Sequence, residues 1–185
     1  PLVAIQLLWI NIVTDGLQDI ALSFEKGDDD IMKERPRDIK EPLFTKDLII
    51  EILIFCIGIT MLVFGLWKYL MDRNTNILVA RSIILMLMVF IQNINVLNCR
   101  GEKESLFNKS LFSNPVAMMT IFGSIFLHIL ISQNPITAAF LKVTPLSFVT
   151  IVKIFILSLF IIVIFEIYKL IFNKISNLSD EKKKI

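Results

Sequence analysis

The sequence predicts an all-α protein, a multi-pass transmembrane helix bundle of five spans, and three observations carry that expectation. Hydrophobic residues make up 55% of the 185-residue chain, with fifteen Phe, and mean hydropathy is +0.72, far from the balance of a water-soluble domain. The apolar residues gather into five runs, at about 5–23, 48–70, 77–97, 115–132 and 148–172. Each is near the ~20 residues that cross a hydrocarbon core of ~30 Å at a rise of ~1.5 Å per residue.

The elements follow in order. Residues 1–24 form a first span with an unusual polar centre. Residues 25–46 read as a connecting loop, because Gly27, Asp28–Asp30, Pro36 and Pro42 oppose helix. Residues 47–172 hold four further spans with shorter loops. Between the second and third runs lies only MDRNTN, a turn so tight that the two helices must be antiparallel neighbours. The stretch CRGEKESLFNKSLFSN, 99–114, is a second polar connection. In 133–147, Asn134-Pro135 and Thr144-Pro145 flank a short apolar piece suited to a membrane interface. Residues 173–185, ending in Lys182–Lys184, read as a solvated tail.

Charge placement gives an orientation. Of the 19 Lys and Arg, fourteen fall in 25–46, 99–114 and 169–185, against five (Lys68, Arg73, Arg81, Lys142, Lys153) on the alternate side. The positive-inside rule therefore puts the long loops and C-terminus in the cytoplasm. An odd number of spans then leaves Pro1 outside. With no initiator Met at that position, the chain is expected to be the C-terminal part of something longer.

The centre of the first span holds the chemistry. Asn11, Thr14 and Asp15 sit near the middle of IQLLWINIVTDGLQDIALSFE. An ionised carboxylate there costs ~2.5–3.5 kcal/mol on insertion scales, so it persists where a partner or a task compensates. At ~100° per residue, Asn11, Thr14, Asp15 and Gln18 share one stripe of oxygen donors, the chemistry a hard cation takes. The structural alternative is interhelical hydrogen bonding with Asp15 paired to a cation. No Lys or Arg lies deep in another span. Gly16 weakens the helix beside Asp15, and an unwound turn there would free carbonyls as in ion transporters.

Other classes fall away. The charges do not form a basic face, so no nucleic-acid partner is expected. Cys56 and Cys99 lack the number and spacing of a disulfide framework or metal site. His128, the single histidine, reads as a packed residue. Asp28–Asp30 lacks the alternating ligand spacing of an EF-hand and reads as a solvated run. Glu51 and Glu166 lie near span ends, Glu166 placed to pair with Lys169 at i,i+3. Gly58 and Gly65 are two turns apart and suit close helix approach.

QLLWINIVTDGL followed by ALSFE, DIM and KEPLF resembles the sixth membrane helix and following cytoplasmic loop of P-type cation-transporting ATPases, in the calcium-pump-like branch. VFIQNINVLNCR and the downstream SLFSNP are similar to that family's eighth helix and the loop toward the ninth. The resemblance covers nearly the whole chain, as helices six to ten. It implies that Asn11, Thr14 and Asp15 coordinate the transported cation, Ca2+ first, with Asp15 as the bridging carboxylate. Gln92 occupies the position of an acidic eighth-helix ligand, a departure that favours one divalent ion per cycle. Gln92, Asn93, Asn95 and Asn98 otherwise read as interhelical hydrogen-bonding groups. A second departure replaces DGLPA by Asp15-Gly16-Leu17-Gln18-Asp19. Gln18 and Asp19, with Asn95, form a second tier near the site and leave Na+, H+ or another cation open.

The resemblance also implies that 25–46 couples a phosphorylation domain to the membrane, a role extended to Asp30, Arg35 and Arg37, although Glu34-Arg35-Pro36-Arg37 departs from the double-proline form. No DKTGT, TGES, GDGxND or GxxxxGK[ST] motif occurs. ATP and Mg2+ are therefore expected to act in parts N-terminal to Pro1, which would also supply helices four and five with the remaining ion ligands. The expected partners are thus the lipid bilayer and the N-terminal helices and cytoplasmic domains of a parent pump. The rivals are a self-standing cation channel or carrier and a scaffolding membrane subunit.

Overall fold

A computed structural model describes residues 2–25, 46–100 and 113–169, and every described element is helical. The first apolar run is built of α1 (Ala4–Ile10), a π-helical turn (Asn11–Asp15) and α2 (Gly16–Leu22). Then come α3 (Lys46–Asp72), α4 (Ile77–Cys99), α5 (Pro115–Gln133), the short α6 (Pro135–Leu141) and α7 (Phe148–Ser158). After a turn at Leu159, α8 (160–169) carries the last helix on. Among the described residues, four helices are long and apolar enough to cross a membrane: Leu48–Asp72, Ile77–Cys99, Pro115–Gln133 and Phe148–Lys169.

The termini of these helices are set by local chemistry. Asn76 caps α4 by accepting from Leu78 N at 2.8 Å, after a turn in which Asn74 takes the left-handed conformation (φ 54°) that Asn tolerates. That turn returns α4 against α3, as the short MDRNTN connection requires. Asn114 caps α5 through Ala117 N at 3.0 Å, and Pro115 takes the first helical position, where no N–H is needed. Asn134 ends α5 and caps α6, with Pro135 again at the start. The 133–147 connection thus contains a helix, closed by Lys142 in the left-handed region. Ser147 caps α7.

Packing centres on α4, which touches α3, α5 and α7 as well as all three parts of the first run. One apolar cluster joins α4 to α7 and α8 through Met86, Leu87, Phe90, Ile154 and Ile161. A smaller one joins Ile10, Leu85, Ala138 and Leu141, so α6 closes one end of the bundle over α1 and α4. The outward sides of α3 and α5 expose Met61, Phe64, Met119, Phe122 and Phe126, an apolar surface suited to lipid. A Cβ on Gly58 would lie 3.2 Å from Ile164 Cδ1, so glycine lets α3 approach α8. Gly65 has no neighbour within 4 Å, and the expected close approach occurs at only one of the two.

Candidate cation-binding site

The polar motif of the first run lies on the π turn. Gly16 is itself helical (φ −61°, ψ −38°), and its N–H reaches back five residues to Asn11 O. The chain at Gly16 is therefore not unwound, as its sequence suggested, but widened. Because a π turn holds more residues than an α turn, successive side chains advance by less than 100°. The predicted single stripe divides as a result. Thr14 and Gln18 are buried, at 0% and 4% exposure, whereas Asn11 is exposed and Asp15 partly so. Asp19, one turn beyond Asp15, is exposed on the same outward side, and its charge acts on Asp15.

Thr14 ties the π turn to α4. Its Oγ1 lies 2.5 Å from Gln92 Oε1, 2.6 Å from Ile10 O and 3.3 Å from Asp15 Oδ1. A hydroxyl has one proton to donate, so the three side-chain oxygens of Thr14, Asp15 and Gln92 are short of hydrogens. Turning the Gln92 amide by 180° would aim its NH2 at Thr14 and complete the bonding. With the amide oxygen facing in, the cluster is rich in acceptors and suited to a hard cation. Gln92 and Asn95 are both partly buried, three residues apart on α4. Thr14, Asp15 and Gln92 thus converge, while Asn11 and Asp19 face out of the bundle. Among the described residues no group of three or more His, Cys, Asp or Glu could hold a metal. The one acidic group within the cluster is Asp15, and the rest are neutral oxygens.

Gln18 faces the bundle rather than the outward stripe. Its Nε2 donates to Asn93 Oδ1 at 2.9 Å, and Ser124 Oγ donates to the same oxygen at 2.7 Å. His128 is buried and accepts from Trp9 Nε1 at 3.0 Å, the packed role its sequence context predicts. Gln6 Nε2 donates to Leu141 O (3.0 Å) and Lys142 O (3.1 Å), fixing α1 to the end of α6. Lys169 is buried at the end of α8, with the charges of Glu51 and Glu166 acting on it. Asp30, Arg35 and Arg37 lie outside the described residues.

A second polar node escaped the sequence reading. Arg100 grips Glu25 with two bonds, Nε to Oε2 at 2.8 Å and Nη2 to Oε1 at 3.2 Å, and Nη2 also donates to Ser113 Oγ at 2.6 Å. Asn114 Nδ2 donates to Glu25 Oε2 (2.9 Å) and to Ala21 O (3.1 Å). One node thus joins the ends of α2 and α4 to the start of α5. Its sequence signal was slight: a Glu closing one apolar run and an Arg closing another, 75 residues apart. Gln6, Asn93 and Ser124 carried the same kind of signal, isolated polar groups inside apolar runs.

This geometry stands beside a family match. Residues 1–171 fit the model described as cation transporting ATPase, C-terminus. The chain belongs to that family. Among the relatives of this cation-transporting ATPase C-terminal region is a probable calcium-transporting ATPase of Trypanosoma brucei brucei, 32% identical over 167 residues, which cover 77% of this chain and 16% of that protein. The calcium-transporting ATPase of Bacillus subtilis (strain 168) is 35% identical over 138 residues, 73% of this chain and 15% of that protein. The Homo sapiens calcium-transporting ATPase type 2C member 1 is 32% identical over 174 residues, 91% and 18% respectively. The chain spans about a sixth of the length of the relatives it matches.

Proposed function

We propose that this chain is the C-terminal membrane part of an ATP-driven cation pump, that Ca2+ is the cargo, and that the chain supplies part of the ion site. Asn11, Thr14, Asp15 and Gln92 are the ligands. The observation that carries this reading is the convergence of Thr14, Asp15 and Gln92 oxygens where a π turn of the first run meets α4. One carboxylate plus neutral oxygens suits a single ion held loosely enough to be released.

In this reading the helical stretch 4–22 is the first of five spans, since 19 residues at ~1.5 Å reach ~28 Å. The long loops and the C-terminus are cytoplasmic, as the Lys and Arg distribution favours. Asn11 and Asp15 face outward because the rest of the pump completes the site from that side, and ATP and Mg2+ act in that remainder. Asp30, Arg35 and Arg37 help to couple the two. Asp19, at the margin, raises local cation concentration without ligating.

The test is Asp15→Asn in the intact pump that carries this segment, with cation-dependent ATP hydrolysis as the readout. Activation by Ca2+ should be lost or shifted by at least ~100-fold, as expected when the one charged ligand is removed. Unchanged Ca2+ activation would sink the ligand assignment.

A further inference from the structure

The buried amide of Asn93 makes three hydrogen bonds, with both lone pairs of its oxygen taken. Its Oδ1 accepts from Gln18 Nε2 and Ser124 Oγ, and its Nδ2 donates to Val89 O at 2.8 Å. The three side chains are 1%, 4% and 0% exposed for Asn93, Gln18 and Ser124. Because Val89 O can only accept, Asn93 Nδ2 must face it, and the amide has one orientation, with its oxygen toward Gln18 and Ser124. Gln92 has no such constraint. Yet Gln92 and Asn93 are consecutive on α4, and their partners Thr14 and Gln18 are one turn apart on the first run. Two adjacent rungs therefore link the same two helices. One is pinned by three hydrogen bonds to Asn93; the other is the acceptor-rich cluster.

From this we infer that Asn93, held by Gln18 and Ser124, is a positioning residue for the cation site. It sets the rotation of α4 about its axis so that Gln92 Oε1 meets Thr14. The clamp contains no formal charge, so it holds its geometry without competing for the cation. Gln18 is then a positioning residue and not a ligand. This inference rests on the proposed ion site.

The experiment uses the intact pump and compares Asn93→Leu, Asn93→Asp, Gln18→Leu and Ser124→Ala with Gln6→Leu, a control that removes an equally buried amide bonded to the α6 end. Three quantities are read: the Ca2+ concentration for half-maximal ATP hydrolysis, the maximal rate, and the thermal unfolding midpoint. Gln18→Leu and Asn93→Leu should raise half-activating Ca2+ by about tenfold and leave the maximal rate within about twofold, the scale of one misplaced neutral ligand. Asn93→Asp, which turns an oxygen toward Val89 O and puts a charge into the clamp, should not recover that loss. Gln6→Leu should lower the midpoint without moving half-activation. The inference is overturned if Gln18→Leu leaves half-activation unchanged, or if Gln6→Leu shifts it equally. Should Asn93→Leu fail to fold, Gln18→Leu and Ser124→Ala decide the matter. Loss of activation in Asp15→Asn with no shift in the clamp variants would fail this inference alone. An unaffected Asp15→Asn would fail the ion site itself.

Discussion

The two sides of the first helical run differ in one respect: polar groups on the inward side are bonded to other helices, and among the described residues those on the outward side bond to none. Inward, Gln6 bonds to α6, Thr14 to Gln92, and Gln18 to Asn93, and at the end of the run Glu25 is gripped by Arg100. Outward, Asn11, Asp15 and Asp19 repeat every four residues and are exposed or partly so. Polar groups that only hold helices together need their partners to hand. Polar groups that bind cargo cannot be fully consumed by the fold. On the proposed function, the inward set is architecture, the outward set belongs to the ion path, and Thr14 is the residue shared between them.

Mutations can break this comparison. The largest stability effect should come from Arg100→Leu, which leaves Glu25 partly buried without its bidentate partner. A loss of about 3–5 kcal/mol is expected, mostly recovered in the double variant with Glu25→Leu. Thermal unfolding of detergent-solubilised protein measures it; a double variant no better than the single one would contradict the pairing. Asp15→Leu should act in the opposite sense. It abolishes cation activation yet does not lower the unfolding midpoint, because on the proposed five-span reading an intramembrane charge is removed from the fold. A destabilisation of several degrees would place Asp15 with the architecture instead.

Smaller effects sharpen the contrast. Ser124→Ala should cost about 0.6 kcal/mol, the average for hydrogen bonds between membrane helices, with a matching small shift in the unfolding midpoint. Asp19→Asn should change half-activating Ca2+ by about threefold or less, and that shift should vanish at high salt, because an exposed charge acts through a screened field. A salt-independent effect of tenfold would make Asp19 a ligand.

Much of this was legible in the sequence. The apolar runs marked the long helices, and the tight turn after Asp72 paired α3 with α4. The NxxTDG string located the oxygen cluster, and the isolated His128 read correctly as packed. The division of the stripe was not legible. A 3.6-residue period has no signal for a π turn, and a single widened turn was enough to send Thr14 inward while Asn11 stayed out. Nor could periodicity assign Gln18 to Asn93 or Glu25 to Arg100, since each pair is joined across 75 residues by how helices pack. Gly58 and Gly65 carried the same sequence signal and differ only in having Ile164 nearby or not.

The central claim is that the π turn and α4 together present cargo ligands. Equilibrium binding of radiolabelled Ca2+ to the intact pump in the absence of ATP tests it most directly. About one ion per pump is expected for one intramembrane carboxylate with neutral oxygens, with binding lost in Asp15→Asn, weakened in Thr14→Val and Gln92→Leu, and unchanged in Gln6→Leu. Full binding in Asp15→Asn, or an equal loss in Gln6→Leu, would contradict it.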